Sequence, residues 1–271
     1  MKKTSKILIG AGIALFVPMV VGILCLAFLA REGQYSRTYT IAWKDLSRQK
    51  VEKGKYLEIF SDTRVTGFEL TVRPLPEGEV EPFLEYPAEL KPYVHIQPGG
   101  DTLWLSLLQL DPLLEAHHTT LIEGAGAVLY VPDDMLEGIH GESGTNCRLK
   151  GLRVDRTLTC DGHFSCWVDS SRISHLDYRS AARIYIVGSR LDTLTRDLSS
   201  TRGGWLVYDG SRIDVLQLRA HSEETCEVDG IDVGEVRWLP QGEDARLRIK
   251  FGNEPVTISL RDKQGSEEQN R

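Results

Sequence analysis

Four arginines recur at similar intervals in the second half of this 271-residue sequence: Arg153, Arg172, Arg190 and Arg212. A guanidinium group binds carboxylate, sulfate or phosphate through two parallel hydrogen bonds, so arginines aligned on one face could hold an anionic polymer. A mostly acidic set follows two positions after each arginine: Asp155, Ser174, Asp192 and Asp214. The alternative is a solvated face on which acids compensate arginines, each exposed pair contributing roughly 0–1 kcal/mol.

Large apolar side chains form a second recurring set, which consists of Trp167, Tyr185 and Leu206. If the segments that carry them are strands, these residues point outward and lie above one another. An exposed apolar patch marks an interaction site, and this one could bind a sugar ring or a partner strand. The alternative is that another part of the same chain covers the three residues.

Cysteines form the third set, with Cys147 and Cys166 at equivalent positions of the recurring pattern. Residues that pair in register between neighbouring strands hold their β-carbons somewhat too far apart for a disulfide, so we expect buried thiols. A disulfide between Cys160 and Cys166 across a bend is the alternative, because the even number of cysteines outside the apolar N-terminus suits an oxidising compartment.

Motifs for catalysis or metal binding are missing from the sequence. We find no zinc-ligand spacing, no phosphate-binding glycine loop and no Gly-x-Ser-x-Gly element. A polysaccharide-cleaving β-helix would gather its acid and base residues in one cleft, and the sequence shows no such gathering. We therefore predict that the protein is not an enzyme and has no cofactor and no metal.

The recurring sets belong to a repeat of about 20 residues that begins at Cys147, Cys166, Ile184, Trp205 and Cys226. Each unit has an apolar residue two positions after its start, a short turn, and two further branched apolar positions. Because one such unit cannot bury its inner face alone, the units must stack. The pattern predicts an all-β β-solenoid or β-roll with five coils over residues 146–240. An antiparallel sandwich with regular turns is the alternative.

The N-terminus predicts a membrane anchor. Lys2, Lys3 and Lys6 precede the uncharged residues 7–30, which are long enough to cross a bilayer as a helix, with the N-terminus in the cytoplasm. A cleaved signal peptide is the alternative. We expect residues 1–36 to form the cytosolic end, the span and the start of a linker. Residues 37–260 form an exported β domain with an N-terminal β portion over 55–131, and residues 261–271 form a disordered tail.

The order and composition of the segments within residues 55–240 resemble those of the GIN-domain, or auto-transporter adhesin head, family and its toast-rack-like relatives. The likeness lies in Leu57-Glu58-Ile59, in Glu89–Val94 leading to Leu103–Leu107, in Val131–Ile139, in Gly141–Gly144, and in the coils that follow. The turns depart from the family's Gly-Ser-Gly pattern because they carry arginines. The resemblance implies an N-terminal β portion followed by stacked coils, and it suggests adhesion.

The composition of the chain restricts the classes of molecule that the protein can bind. The formal net charge of −7 excludes the clustered basic surface that nucleic acids require. We expect a bacterial envelope protein that interacts with a polysaccharide or another envelope protein, and that could form homo-oligomers. A regulatory module in envelope-stress signalling is the alternative, and a carbohydrate-active enzyme is the third hypothesis.

Overall fold

The computed structural model describes residues 16–28, 38–198, 205–207, 210–228, 232–251 and 257–260. Residues 16–28 form helix α1 within the predicted span, whose other residues lie outside the described part, as does the predicted tail over 261–271. Among the described residues, no helix combines the length and apolar character that crossing a membrane requires.

Most described residues lie in short β-strands, which confirms the all-β prediction. A 3-10 turn (Ala88–Leu90) and helix α2 (Asp111–Ala116) interrupt the strands. The strands are β1 (Thr38–Thr40), β2 (Leu46–Lys50), β3 (Tyr56–Ser61), β4 (Val65–Thr66), β5 (Phe68–Pro74), β6 (Phe83–Pro87), β7 (Val94–Gly99), β8 (Thr102–Leu107), β9 (Leu121–Glu123), β10 (Gly126–Val131), β11 (Gly138–Gly141), β12 (Thr145–Lys150), β13 (Arg153–Gly162), β14 (Ser165–Asp169), β15 (Arg172–Tyr178), β16 (Ile184–Val187), β17 (Arg190–Asp197), β18 (Trp205–Val207), β19 (Arg212–Ala220), β20 (Glu223–Val228), β21 (Asp232–Pro240), β22 (Arg246–Phe251) and β23 (Thr257–Leu260).

The described strands form two large sheets and two small ones. The eight-stranded sheet has the order β18-β16-β14-β12-β5-β10-β6-β2, and the ten-stranded sheet has the order β23-β21-β19-β17-β15-β13-β11-β3-β8-β7. The small sheets are β1-β9-β4 and β20-β22. From β11 to β19 the chain passes back and forth between the two large sheets, and each strand pairs in parallel with its neighbours.

A single hydrophobic core joins the two large sheets, because alternate side chains of each strand point inward. In β5, Phe68, Leu70 and Val72 are fully buried while the residues between them are partly exposed. Leu158, Leu176 and their equivalents in the ten-stranded sheet belong to the same cluster of buried residues. The outer faces of the sheets therefore carry the polar, aromatic and charged side chains that can meet a ligand.

The strand pairing follows the register of the sequence repeat. The start positions pair as Cys147–Cys166–Ile184–Trp205 across the eight-stranded sheet. In the ten-stranded sheet the second apolar positions pair as Val154–Ile173–Leu191–Ile213–Val233 and the third as Leu158–Leu176–Leu194–Leu216–Val236. Cys226 departs from this order, because its strand β20 pairs with β22 in a separate sheet.

Buried serines hold the bends between the two sheets. The hydroxyls of Ser171, Ser189 and Ser211 donate to main-chain carbonyls of the preceding turn of the chain, at 3.0, 3.0 and 3.2 Å. The same hydroxyls accept N–H groups of Leu152, Ser171 and Ser189, at 3.1, 3.0 and 3.4 Å. Each serine stands directly before an arginine in the sequence. The serine ladder therefore satisfies buried backbone groups and aligns the arginines that follow it.

The N-terminal strands stack in an order that differs from the order of the chain. Strand β3 lies between β8 and β11, and strand β5 lies between β10 and β12. All four of these pairings are parallel, so the N-terminal β portion predicted over residues 55–131 shares the pairing of the repeated part. Antiparallel strands β7, β6 and β2 complete the sheets at this end.

Candidate functional site

The indole ring of Trp104 lies against a glycine on the outer face of the ten-stranded sheet. A β-carbon added to Gly99 of the neighbouring strand β7 would stand 1.9 Å from Cζ3 of Trp104, so any side chain there would occupy the place of the ring. The indole Nε1 donates to Oε2 of Glu58 at 2.8 Å, which fixes the ring's orientation. Trp104 is still 38% exposed, so the ring is held by the protein and also open to solvent.

Tyr56 repeats this arrangement on the adjacent strand. A β-carbon added to Gly138 of β11 would stand 2.8 Å from Cδ1 of Tyr56. Tyr56 pairs in register with Gly138 on one side and with Thr102 on the other, and it is 47% exposed. A glycine in a sheet leaves room for a close approach by another group, here an aromatic ring. Two glycines therefore hold two exposed aromatic rings on neighbouring strands.

Polar side chains continue the row that begins with Trp104. Glu58, His140 and Asp161 occupy successive paired positions on β3, β11 and β13. Nδ1 of His140 lies 2.6 Å from Oδ1 of Asp161, and both side chains are about half exposed (47% and 48%). Two carboxylates thus flank one imidazole beside the aromatic rings, and their free lone pairs can accept hydrogen bonds from ligand hydroxyls.

Tyr56, Glu58, His140 and Asp161 line an open groove of about 320 Å³, which we call the glycine-backed groove. Trp104 lies beside it, paired in register with Glu58. The floor of the groove includes Gly138 and Ile139, and its walls include Tyr56, Thr159 and Asp161. A second groove of about 320 Å³ involves the neighbouring segment Lys53–Lys55 together with Asp101 and Asp134. Within the described residues, no group of three or more His, Cys, Asp or Glu side chains is arranged to hold a metal ion.

The predicted aromatic set lies on the other large sheet and has a different geometry. The rings of Trp167 and Tyr185 stack on each other, with centroids 4.6 Å apart and an interplanar angle of 5°. The guanidinium of Arg148 lies 5.6 Å from the centroid of Trp167. Trp167 and Tyr185 are only partly exposed, and the side chain of Leu206 lies outside the described part of the chain. One face of each ring is therefore covered by the other ring.

The arginine row lies on the outer face of the ten-stranded sheet, as the repeat predicts. Arg153, Arg172, Arg190 and Arg212 pair in register on β13, β15, β17 and β19, and all four are exposed. Asp214 binds two of them: Arg190 donates to it at 2.8 Å and Arg212 at 2.6 Å. The hydrogen bond from Arg212 lowers the pKa of Asp214 below its usual value.

The three cysteines of the predicted cluster are fully buried free thiols. Cys147 and Cys166 are paired neighbours in the eight-stranded sheet, and Cys160 lies in β13. Burial raises the pKa of the Cys147 thiol well above its usual value, which keeps it protonated and unreactive. His117 follows helix α2, and its ring stacks on that of Tyr39 with centroids 3.5 Å apart.

Sequence reasoning missed the glycine-backed groove because its members are far apart in the chain, and most of them precede the 20-residue repeat. One local signal was present. Strand β11 reads Gly-Ile-His-Gly, and a strand with glycines at both ends predicts that large side chains from its neighbours lie across it. Gly141 shows the same effect on the inner face, where an added β-carbon would stand 2.7 Å from the ring of Phe164.

Comparison with known proteins gives structural likeness only. No family model and no curated protein matches the chain. A structure from Bacteroides fragilis described as a "putative adhesin" is 13% identical, with 82% of this chain and 99% of that one covered and a TM-score of 0.43. A second "putative adhesin", from Parabacteroides merdae, is 9% identical, with 84% and 100% covered and a TM-score of 0.40.

A "putative lipid binding protein" from Parabacteroides distasonis is 8% identical, with 82% of this chain and 99% of that one covered and a TM-score of 0.41. TM-scores below 0.5 at such identities fix neither a shared fold nor a shared function. The resemblance to the GIN-domain family therefore stays a prediction.

Proposed function

We propose that this protein is a non-enzymatic, adhesion-like binding protein whose glycine-backed groove binds a neutral polysaccharide. The observation that carries the proposal is the pair of exposed aromatic rings, Tyr56 and Trp104, each supported from behind by a glycine. A ring held in this way loses little conformational entropy when a ligand packs on it, since it is already ordered by the protein.

The chemistry of the groove fits a sugar. Aromatic rings have an electron-rich face that attracts the C–H groups of a pyranose ring. Carboxylates and threonine hydroxyls beside them bind sugar hydroxyls, and Glu58, Asp161 and Thr159 supply such groups. The carboxylates disfavour an acidic ligand, because an anion beside Glu58 or Asp161 would be repelled. The groove is open, so a long chain can pass across it.

We propose in addition that the β domain is a β-solenoid. The support is the alternation of successive strands between the two large sheets, with parallel in-register pairing at each apolar position from Val154 to Val233. Stacking of this kind produces long outer faces on which equivalent residues form rows, and a row suits a repetitive polymer.

We propose that residues 7–30 anchor this domain in the bacterial cytoplasmic membrane, with the β domain outside. The support is the uncharged composition of the segment and the exposure of its apolar side chains in α1, such as 62% for Phe16 and 63% for Leu26. Carbonate extraction of cell membranes tests this proposal. The protein should stay with the membrane pellet, and release into the soluble fraction would contradict the anchor. N-terminal sequencing of the mature protein separates an uncleaved anchor from a cleaved signal peptide.

Binding of the full chain to immobilised neutral glucans, mannans and galactans tests the groove, in a detergent that has no sugar headgroup. Tyr56→Ala and Trp104→Ala should each weaken binding by about tenfold or more, which corresponds to ~1.4 kcal/mol. Tyr185→Ala is the matched control, because it removes an aromatic ring from the other large sheet. Absence of binding to every neutral polysaccharide would overturn the proposal, and so would an equal loss in the control.

A further inference from the structure

The arginine row is compensated by acidic side chains along only half of its length. Arg190 and Arg212 share the carboxylate of Asp214, and Arg190 also lies 3.8 Å from Asp192. Within the described part of the chain, the guanidinium groups of Arg153 and Arg172 have no acidic side chain at ion-pairing distance. Their α-carbons pair directly, so the two strands that carry them are about 4.8 Å apart.

The sequence explains why acidic side chains compensate the charges of only two of the four arginines. Asp214 on β19 bridges its own arginine and the arginine of the preceding strand β17. The equivalent residue on β15, which would bridge Arg172 and Arg153 in the same way, is Ser174. Asp192 stands toward Arg172 as Asp214 stands toward Arg190, but its carboxylate accepts a hydrogen bond from the Ser174 hydroxyl at 3.3 Å and lies 3.8 Å from Arg190, and it forms no ion pair with Arg172.

Asp155 and Asp133 are near Arg153 in the fold, but neither carboxylate pairs with its guanidinium group. The register shifts between Val154 and Thr157, which places Asp155 in an irregular part of β13 and outside the regular row. Asp133 accepts the backbone N–H of Arg153 at 3.2 Å and so faces the main chain of that residue. Two like charges on neighbouring strands repel each other unless an anion lies between them.

We propose that Arg153 and Arg172 together form a binding site for an oxoanion, such as a sulfate or phosphate group carried by an envelope polymer. Each guanidinium can donate two parallel hydrogen bonds to such a group, and one anion between them removes their mutual repulsion. The site lies near the beginnings of β13 and β15, whereas Thr159 and Asp161 of the glycine-backed groove lie near the end of β13. The two sites are therefore separate and can be tested separately.

Binding of fluorescent dextran sulfate to the full chain, with uncharged dextran as the reference polymer, tests the site. Arg172→Gln and Arg153→Gln should each weaken binding about tenfold, because each removes hydrogen bonds to a charged group. Arg190→Gln is the matched control, since it removes the same charge from the compensated half of the row and should leave binding nearly unchanged.

Ser174→Asp gives the sharpest result. It keeps both arginines and adds the missing acid, so it should abolish most of the binding. Thermal unfolding of each variant shows that the fold is kept. Equal loss for Arg172→Gln and Arg190→Gln, or wild-type binding by Ser174→Asp, would overturn the proposal.

Competition with short-chain phosphatidylglycerol identifies the source of the anion. Displacement of dextran sulfate by this lipid would keep the oxoanion site but move its natural ligand to a lipid headgroup. Lack of displacement supports a polymer. Neither result depends on the glycine-backed groove, because Trp104→Ala should bind dextran sulfate like the wild type.

Discussion

The two large sheets carry aromatic residues on their outer faces in two different ways. On the eight-stranded sheet, Trp167 and Tyr185 occupy paired positions and stack on each other. On the ten-stranded sheet, Tyr56 and Trp104 lie against Gly138 and Gly99. Two stacked rings each cover one face of the other. A ring that lies across a glycine is supported on that side and stays partly exposed to solvent. The neighbour of an aromatic residue thus decides whether its ring packs on another ring or stays open to solvent.

We expect the largest effect from Gly99→Ala. The new β-carbon would stand 1.9 Å from the indole, so Trp104 must leave its position. We expect the free energy of unfolding to fall by about 1–3 kcal/mol, as for overpacked sites, and polysaccharide binding to fall with it. Thermal unfolding and glycan binding measure the two effects. The double variant Gly99→Ala with Trp104→Ala should recover the stability, and a failure to recover would show that the ring is not the obstacle.

Gly138→Ala is the milder counterpart on the neighbouring strand. Its β-carbon would stand 2.8 Å from Cδ1 of Tyr56, a contact that a small rotation of the ring relieves. We expect a loss of about 1 kcal/mol in unfolding free energy and weaker glycan binding. Urea unfolding measures the first effect. In a Tyr56→Ala background the same substitution should have little further effect, and an undiminished loss there would count against the ring contact.

The stacked pair on the eight-stranded sheet should show coupling in stability and none in glycan binding. A double-mutant cycle of Trp167→Leu and Tyr185→Leu should give a coupling energy of about 0.5–1.5 kcal/mol, the range of aromatic pairs. Glycan binding by all three variants should equal that of the wild type. A loss of binding would show that the aromatic set predicted from the sequence, and not the groove, is the ligand site.

The smallest effect is expected for Arg148→Gln. This residue lies over Trp167 and forms an ion pair with Glu69 at 3.1 Å. Both interactions are partly exposed, so we expect a loss of about 0.5–1 kcal/mol in unfolding free energy. High salt should remove the ion-pair part of this loss, because ionic strength screens surface charges. If the loss is independent of salt, the contact with the indole ring accounts for it.

The repeated part of the chain could be predicted because its period is regular. Five apolar residues from Val154 to Val233 and four arginines from Arg153 to Arg212 pair in the register that their spacing predicts. The groove could not be predicted in the same way. Gly99 and Trp104 are close in sequence, but Tyr56 meets Gly138 only because β3 lies between β8 and β11. The spacing of residues along the chain does not reveal that strands stack in an order different from their order in the sequence.

Sequence reasoning also treated the arginine row as uniform. One difference between its two halves is Ser174, which stands where its equivalents are aspartates. That difference could be read from the sequence once the acidic positions were aligned. The extra residue in β13 could be read from the sequence too, because Val154 and Leu158 are four residues apart whereas Ile173 and Leu176 are three apart.

The placement of β3 and β5 has a consequence for the order in which the protein can be made and exported. These strands emerge before all but a few of the others, yet each needs two later partners: β8 and β11 for β3, and β10 and β12 for β5. The edges of β3 and β5 therefore stay unpaired until the chain has been made to about residue 150, where the last of these partner strands ends. Such long-range pairing is slow and leaves strand edges open to aggregation. A chain that crosses a membrane from its N-terminus would therefore need protection until the middle of the sequence arrives.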